Sequence, residues 1–174
     1  MLSAIVILPT QPVRASGRSF PDMMVRTLAS LVPAAVEGVL RDLTIAAPHG
    51  HQELERIADH AGCELVQAET QRDALAQALK ATREDNVFLL VAGRAPDTGF
   101  ADEIAEMIGD GQRIALMRDR PDSFLTRLLP GLSPAAGVLA PRDRLLSFPA
   151  ADVASISRQI GAARTMRLRA RRVD

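Results

Sequence analysis

A chain of 174 residues, 47% of them hydrophobic, is one domain's worth of sequence and can bury a core without metals or disulfides. Its formal net charge of zero excludes a global field favouring nucleic acid or membrane. Five Phe with no Trp or Tyr leave little for the aromatic platforms on which sugars or unpaired bases stack.

The single cysteine, Cys63, cannot form an internal disulfide, which fits a reducing compartment. No apolar run reaches the roughly 18 residues of a membrane span. The apolar start at Leu2 to Leu8 is too short, and lacks the basic flank, for a signal peptide. The expectation is a cytoplasmic protein.

Leu2-Ser3-Ala4-Ile5-Val6-Ile7-Leu8, closed by Pro9, predicts a buried strand. A polar loop follows from Thr10 to Ser19. Pro21 then suits a first helical turn, and Met24, Leu28, Leu31 and Val32 recur at helical spacing until Pro33 and Gly38. Leu43-Thr44-Ile45-Ala46 predicts a second strand. His51 to Ala61 reads as a helix stopped by Gly62, and Cys63-Glu64-Leu65-Val66 as a third strand.

Thr70 with Asp73 resembles a capping box opening a helix with Ala74, Leu75, Ala78 and Leu79 inward. Val87-Phe88-Leu89-Leu90-Val91 is the most apolar run and predicts the central strand. Phe100, Ile104, Met107 and Ile108 make a helical face, stopped by Gly109. Ile114-Ala115-Leu116-Met117 predicts a fifth strand, Ser123 to Leu129 a short helix, and Val138-Leu139-Ala140 a short strand. Asp152 caps a last helix through Val153, Ile156, Ile160 and Ala163, which the Arg-rich tail continues. The alternation predicts a single α/β domain over 1–163, with a mainly parallel sheet in three layers and a tail over 164–174. Five strands carrying Ile5, Ile45, Leu65, Leu89 and Ile114 are expected side by side. Ligands of such sheets sit beyond the carboxyl ends of the strands. That rule selects the loops 9–19, 47–51 and 92–99.

Three passages carry a family likeness over a little more than half the chain. They are Ile5-Val6-Ile7-Leu8-Pro9-Thr10, then the run from Leu31 to Asp42, then Ile57-Ala58-Asp59-His60-Ala61-Gly62-Cys63. Together they resemble the family 2 glycosyltransferases of bacteria, which have the GT-A fold. The resemblance implies a nucleotide-sugar donor bound through an Asp at the end of the second strand. It also implies an Asp-x-Asp after the central strand that holds a divalent metal on the diphosphate. Ala47 takes the first place, and Gln52 takes that of the last Asp in the same turn. At the second, Ala92-Gly93-Arg94-Ala95-Pro96-Asp97 keeps only Asp97. One carboxylate is a poor magnesium site, so no metal is expected, and Mn or Mg enters only if activity survives. Asp143 is the candidate for the family's catalytic base.

The strand-end rule and the resemblance together select a nucleotide site from Pro9, Thr10, Arg14, Arg18, Ala47, His49, Arg94 and Asp97. Arg14-Ala15-Ser16-Gly17-Arg18-Ser19 has the backbone amides and guanidiniums to cradle phosphate, and also resembles the loop of nucleotidylyltransferases. It equally suits a solvated loop. Arg94 can replace a metal cation on a diphosphate, or be a surface arginine. His49 and His51 lack a third ligand for zinc and read as polar turn residues. Cys63 reads as a packing residue. Arg164, Arg167, Arg169, Arg171 and Arg172 can meet an anionic membrane face or simply complement a helix dipole. The function expected is a glycosyltransferase-like protein with weak or lost sugar transfer. The alternatives are a non-catalytic scaffold on the same fold and a nucleotidylyltransferase-like enzyme.

Overall fold

A computed structural model describes residues 1–9, 20–122, 124–129, 132–148, 152–160 and 163–173. Its first half is a run of parallel strands. β1 (Leu2–Ile7) lies between β2 (Leu40–Pro48) and β4 (Asn86–Val91), and β3 (Glu64–Ala68) borders β2. All three pairings are parallel, and Ile5 stands opposite both Thr44 and Leu89. Parallel pairing needs a crossover between successive strands. α1 (Phe20–Ala29) and α2 (Val32–Val36) lie between β1 and β2, α3 (Gln52–Ala61) between β2 and β3, and α4 (Gln71–Ala81) between β3 and β4.

The local signals act as the sequence implies. The Thr70 hydroxyl accepts the Asp73 backbone N–H at 3.1 Å and donates to the Asp73 carboxylate at 2.7 Å, opening α4. Gly62 closes α3 in the left-handed region, with φ 64°. Pro33 does not end a helix. It sits in the first turn of α2, where its missing N–H costs nothing.

The second half is less regular. β5 (Arg94–Pro96), α5 (Phe100–Gly109), β6 (Ala115–Asp119), α6 (Phe124–Leu128) and β7 (Ala135–Pro141) are followed by α7 (Arg142–Leu146), α8 (Val153–Ile160) and β8 (Arg164–Arg172). The eight strands form one sheet in the order β3-β2-β1-β4-β7-β6-β8-β5. β7 runs antiparallel to both β4 and β6, β8 parallel to β6 and antiparallel to β5.

Two expectations are corrected here. Ile114 immediately precedes β6, which is not beside β4, because the antiparallel β7 intervenes. The Arg-rich tail is not a helical extension but strand β8, inside the sheet. Its alternation explains this: Met166 and Ala170 are buried while Arg167, Arg171 and Arg172 are exposed, a period of two interrupted by an irregularity in the pairing with β6.

Alternation also sorts the core into two layers. Leu2, Ala4, Val6, Ile45 and Phe88 face α1, α3 and α5, and Met166 joins them from β8. Ile5, Ile7, Leu89 and Val138 face α4, α7 and α8. Glu103 is a buried charge in the first layer. Its carboxylate accepts the backbone N–H groups of Arg167 and Leu168 at 2.6 and 3.0 Å, satisfying amides at the irregular part of β8.

Candidate functional site

Three parallel strands, β2, β1 and β4, end side by side, and their carboxyl ends hold most of the residues singled out from sequence. The Ala92 N–H donates to the Ile7 carbonyl at 2.9 Å, so the turn after β4 abuts the end of β1 and Pro9. The His49 N–H donates to the Ala68 carbonyl at 2.9 Å, holding the turn after β2 against β3. Pro9, Ala47, His49 and the Ala92–Arg94 turn therefore share one edge of the sheet. Thr10, Arg14 and Arg18 lie outside the described residues.

The turn after β4 is clamped onto α1. The Gly93 N–H donates to the buried Thr27 hydroxyl at 2.9 Å, and that hydroxyl donates to the Met23 carbonyl at 3.0 Å. Gly93 has φ +84°, and a Cβ there would stand 2.7 Å from the Met23 sulfur. Ala47 is fully buried in the core layer beneath α1 and α3, while His49 is exposed in the turn. The His51 ring stacks at a tilt on Phe20, with centroids 5.3 Å apart.

Beyond the turn lies a group of alternating charges. Arg94 Nε stands 2.6 Å from Asp119 Oδ1, an ion pair rather than a well-directed hydrogen bond. Arg172 Nε is 3.8 Å from the other Asp119 oxygen, and Arg172 Nη2 is 3.1 Å from Asp122. Asp97 is gripped at both oxygens by Arg120, at 3.0 and 2.8 Å. Asp119 is 3% exposed. That burial raises its pKa above the usual carboxylate value, and the neighbouring Arg94 only partly offsets the effect.

These residues do not fit a divalent metal. Both Asp97 oxygens are committed to one guanidinium, and Asp119 faces two. Three arginines already neutralise the three carboxylates. No group of three or more His, Cys, Asp or Glu that could hold a metal ion occurs among the described residues.

Arg94 and Asp97 stand at the same sheet edge as Ala47 and His49, yet neither is free: each is bound into a separate ion pair. Residues 94–96 form β5 on β8 where a loop was expected. Asp143 is not brought to the site. It lies exposed in α7, just after β7, whose Pro141 pairs with Asn86 at the start of β4. The length of β4, roughly 17 Å at ~3.3 Å per residue, separates that end from Arg94. Antiparallel β7 returns the chain to the end of the sheet opposite Arg94. Sequence reading missed Asp119, Arg120, Asp122 and Thr27. The alternation Arg118-Asp119-Arg120-Pro121-Asp122 at a strand end was the available signal.

No protein-family profile matches this sequence, and neither does any curated protein. Solved structures do match its fold. Glucosyl-3-phosphoglycerate synthase from Mycobacterium tuberculosis, in complex with Mn2+, UDP-glucose and phosphoglyceric acid, superposes with a TM-score of 0.64 at 17% identity. The match covers 94% of this chain and 68% of that one. Another structure of the same synthase gives 0.64 at 18% identity, over 94% and 69%. A mycobacterial protein gives 0.61 at 16%, over 98% and 64%. At such identities the likeness concerns architecture. The chain has a GT-A-type glycosyltransferase fold, shorter than those relatives.

Proposed function

We propose that this chain is a glycosyltransferase-like protein that binds a nucleotide or nucleotide sugar at the shared ends of β1, β2 and β4, with weak or lost sugar transfer. The GT-A-type fold supports the binding edge. The observation that carries the loss of transfer is the ion pair of Arg94 with buried Asp119. It stands beside the turn where the resemblance places metal-binding acids. Catalysis of transfer needs positive charge on the departing diphosphate. Among the described residues at that turn, Arg94 and the neighbouring Arg120 are each paired with a carboxylate.

A thermal-shift screen of UDP, UDP-glucose and other nucleotide sugars, with and without manganese, tests the binding. A bound nucleotide should raise Tm equally in both conditions. Release of UDP from the donor, followed over hours, should not exceed spontaneous hydrolysis. Manganese-dependent turnover would overturn the loss of transfer, and no shift with any nucleotide would overturn the binding. A non-catalytic scaffold is the second reading, favoured by Phe124, Leu125 and Leu128, which stand exposed on α6. The nucleotidyl-transfer alternative depends on residues 14–19, which lie outside the described residues.

A further inference from the structure

Several arginines of the second half of the chain are paired. Arg94, Arg120, Arg142, Arg167 and Arg172 each meet a carboxylate. Among the described residues of β6 and β8, the exposed Arg164 and Arg171 do not, and neither do Arg118 and Arg169. The latter two stand directly opposite one another on β6 and β8, in a parallel pairing that puts both side chains on the same face. That face is opposite the one carrying Asp119, the next residue along β6. Both are half-buried, and Arg118 Nε and Arg169 Nη1 are buried without hydrogen-bond partners. Among the described residues, the one hydrogen bond of the Arg118 side chain is from Nη1 to the Ser133 carbonyl, at 2.8 Å. Beside it, Ser133 is 1% exposed, and its hydroxyl has no partner among the described residues either.

Like charges opposite one another on adjacent strands destabilise a sheet. A buried donor without an acceptor adds a further cost. One missing species resolves both: an anion with several acceptor oxygens, bridging two guanidiniums and taking the serine hydroxyl. Planar guanidinium forks favour phosphate-type oxyanions, which they bind through paired N–H groups. We propose that Arg118 and Arg169, with Ser133, form a binding site for a phosphate group, on the face of the sheet away from the Arg94–Asp119 pair. The inference does not rest on the nucleotide reading, whose described residues lie at the ends of β1, β2 and β4 and at the two ends of β5.

The phosphate has two possible sources, a soluble phosphorylated compound or a phospholipid headgroup. Arg118 and Ser133 flank the β6–β7 connection, which also carries the exposed Phe124 and Leu125. A headgroup would therefore place acyl chains near those side chains.

The test uses the full chain and pyrophosphate as the probe, against sodium chloride at matched ionic strength. Wild type should gain Tm progressively with millimolar pyrophosphate. Arg169→Gln and Arg118→Gln should each lose that gain, and Arg113→Gln, on an exposed arginine elsewhere, should keep it. In chloride alone Arg169→Gln should be at least as stable as wild type, because it removes the repulsion; this separates lost binding from lost folding. Vesicles containing phosphatidylglycerol form the second arm. Sedimentation with them that requires both Arg169 and Phe124 assigns the phosphate to a headgroup. A pyrophosphate response with no vesicle binding assigns it to a soluble compound. Absence of both responses in wild type, or a gain that survives in Arg169→Gln, overturns the site.

Discussion

Glu103 of α5 holds the backbone of Leu168 in β8 by a 3.0 Å hydrogen bond, and its other oxygen takes the Arg167 N–H at 2.6 Å. A single carboxylate thus stands in for a sheet neighbour where the pairing of β8 with β6 is irregular. Glu103→Ala leaves two amides without acceptors and should cost about 3 kcal/mol, since each orphaned buried group costs ~1–3 kcal/mol. Glu103→Gln keeps one acceptor oxygen and should cost roughly half as much. Urea unfolding of the two variants checks the order. The ion pair of Glu103 with exposed Arg167 contributes little beside these bonds.

Two glycines should respond to alanine with opposite signs. A Cβ on Gly137 would meet the Leu89 carbonyl oxygen at 2.9 Å and the Phe88 ring at 2.7 Å. The oxygen belongs to the neighbouring strand and cannot step aside. Gly137→Ala should destabilise by about 2–3 kcal/mol, the upper part of the roughly 1–3 kcal/mol that overpacked cores cost. A Cβ on Gly109, at the end of α5, meets nothing within 4 Å. Gly109→Ala should stabilise by about 0.5–1 kcal/mol, through a less flexible unfolded chain. Denaturation midpoints of the pair give the comparison.

Asp119 should give an inverted pH dependence. Burial raises its pKa in the folded protein above the unfolded value of 3.8. Between these two values the folded state holds a proton that the unfolded state releases, so this group's contribution falls as pH rises. It is fully present below 3.8 and lost as pH climbs through the raised folded value. The stability of wild type relative to Asp119→Asn should therefore improve on acidification through that window. Parallel urea titrations from neutral to acidic pH measure it, and a gap that widens against wild type would contradict the burial effect.

Cys63 should be slow to alkylate. Partial burial at the end of α3 pushes its thiol up to about 11, despite an opposing backbone hydrogen bond. The thiolate is the reactive form, so iodoacetamide at pH 8 should label it far more slowly than an unfolded control in urea. Equal rates would show an open thiol.

The parallel half was legible because its signals are local. An apolar run, a cap such as Thr70 with Asp73, and a glycine stop such as Gly62 each fix one element. The crossover rule then makes the strand pairing parallel. The other half depends on partners distant in sequence. The arginines of β8 read as a solvated tail because only Met166, Leu168, Ala170 and Val173 point inward, and the acid that holds them, Glu103, looks like any surface residue of α5. Family likeness singled out Arg94 and Asp97, but could not show that Asp119 and Arg120 pair with them. For Asp143 the strand direction of β7 decided the outcome, and nothing in a short apolar run states its direction.

The position of β8 between β6 and β5 orders events on the ribosome. β1 to β4 pair only among themselves until β7 arrives, so this half can assemble as soon as residues 2–91 have emerged. β5 is synthesised next, yet it must wait for β8, because its pairing at Ala95 is with Arg171. β6 waits as well, with one edge unpaired until the same strand arrives. During that interval the nascent chain displays open strand edges beside a finished parallel core, a state suited to capture by a chaperone or to pairing with another copy.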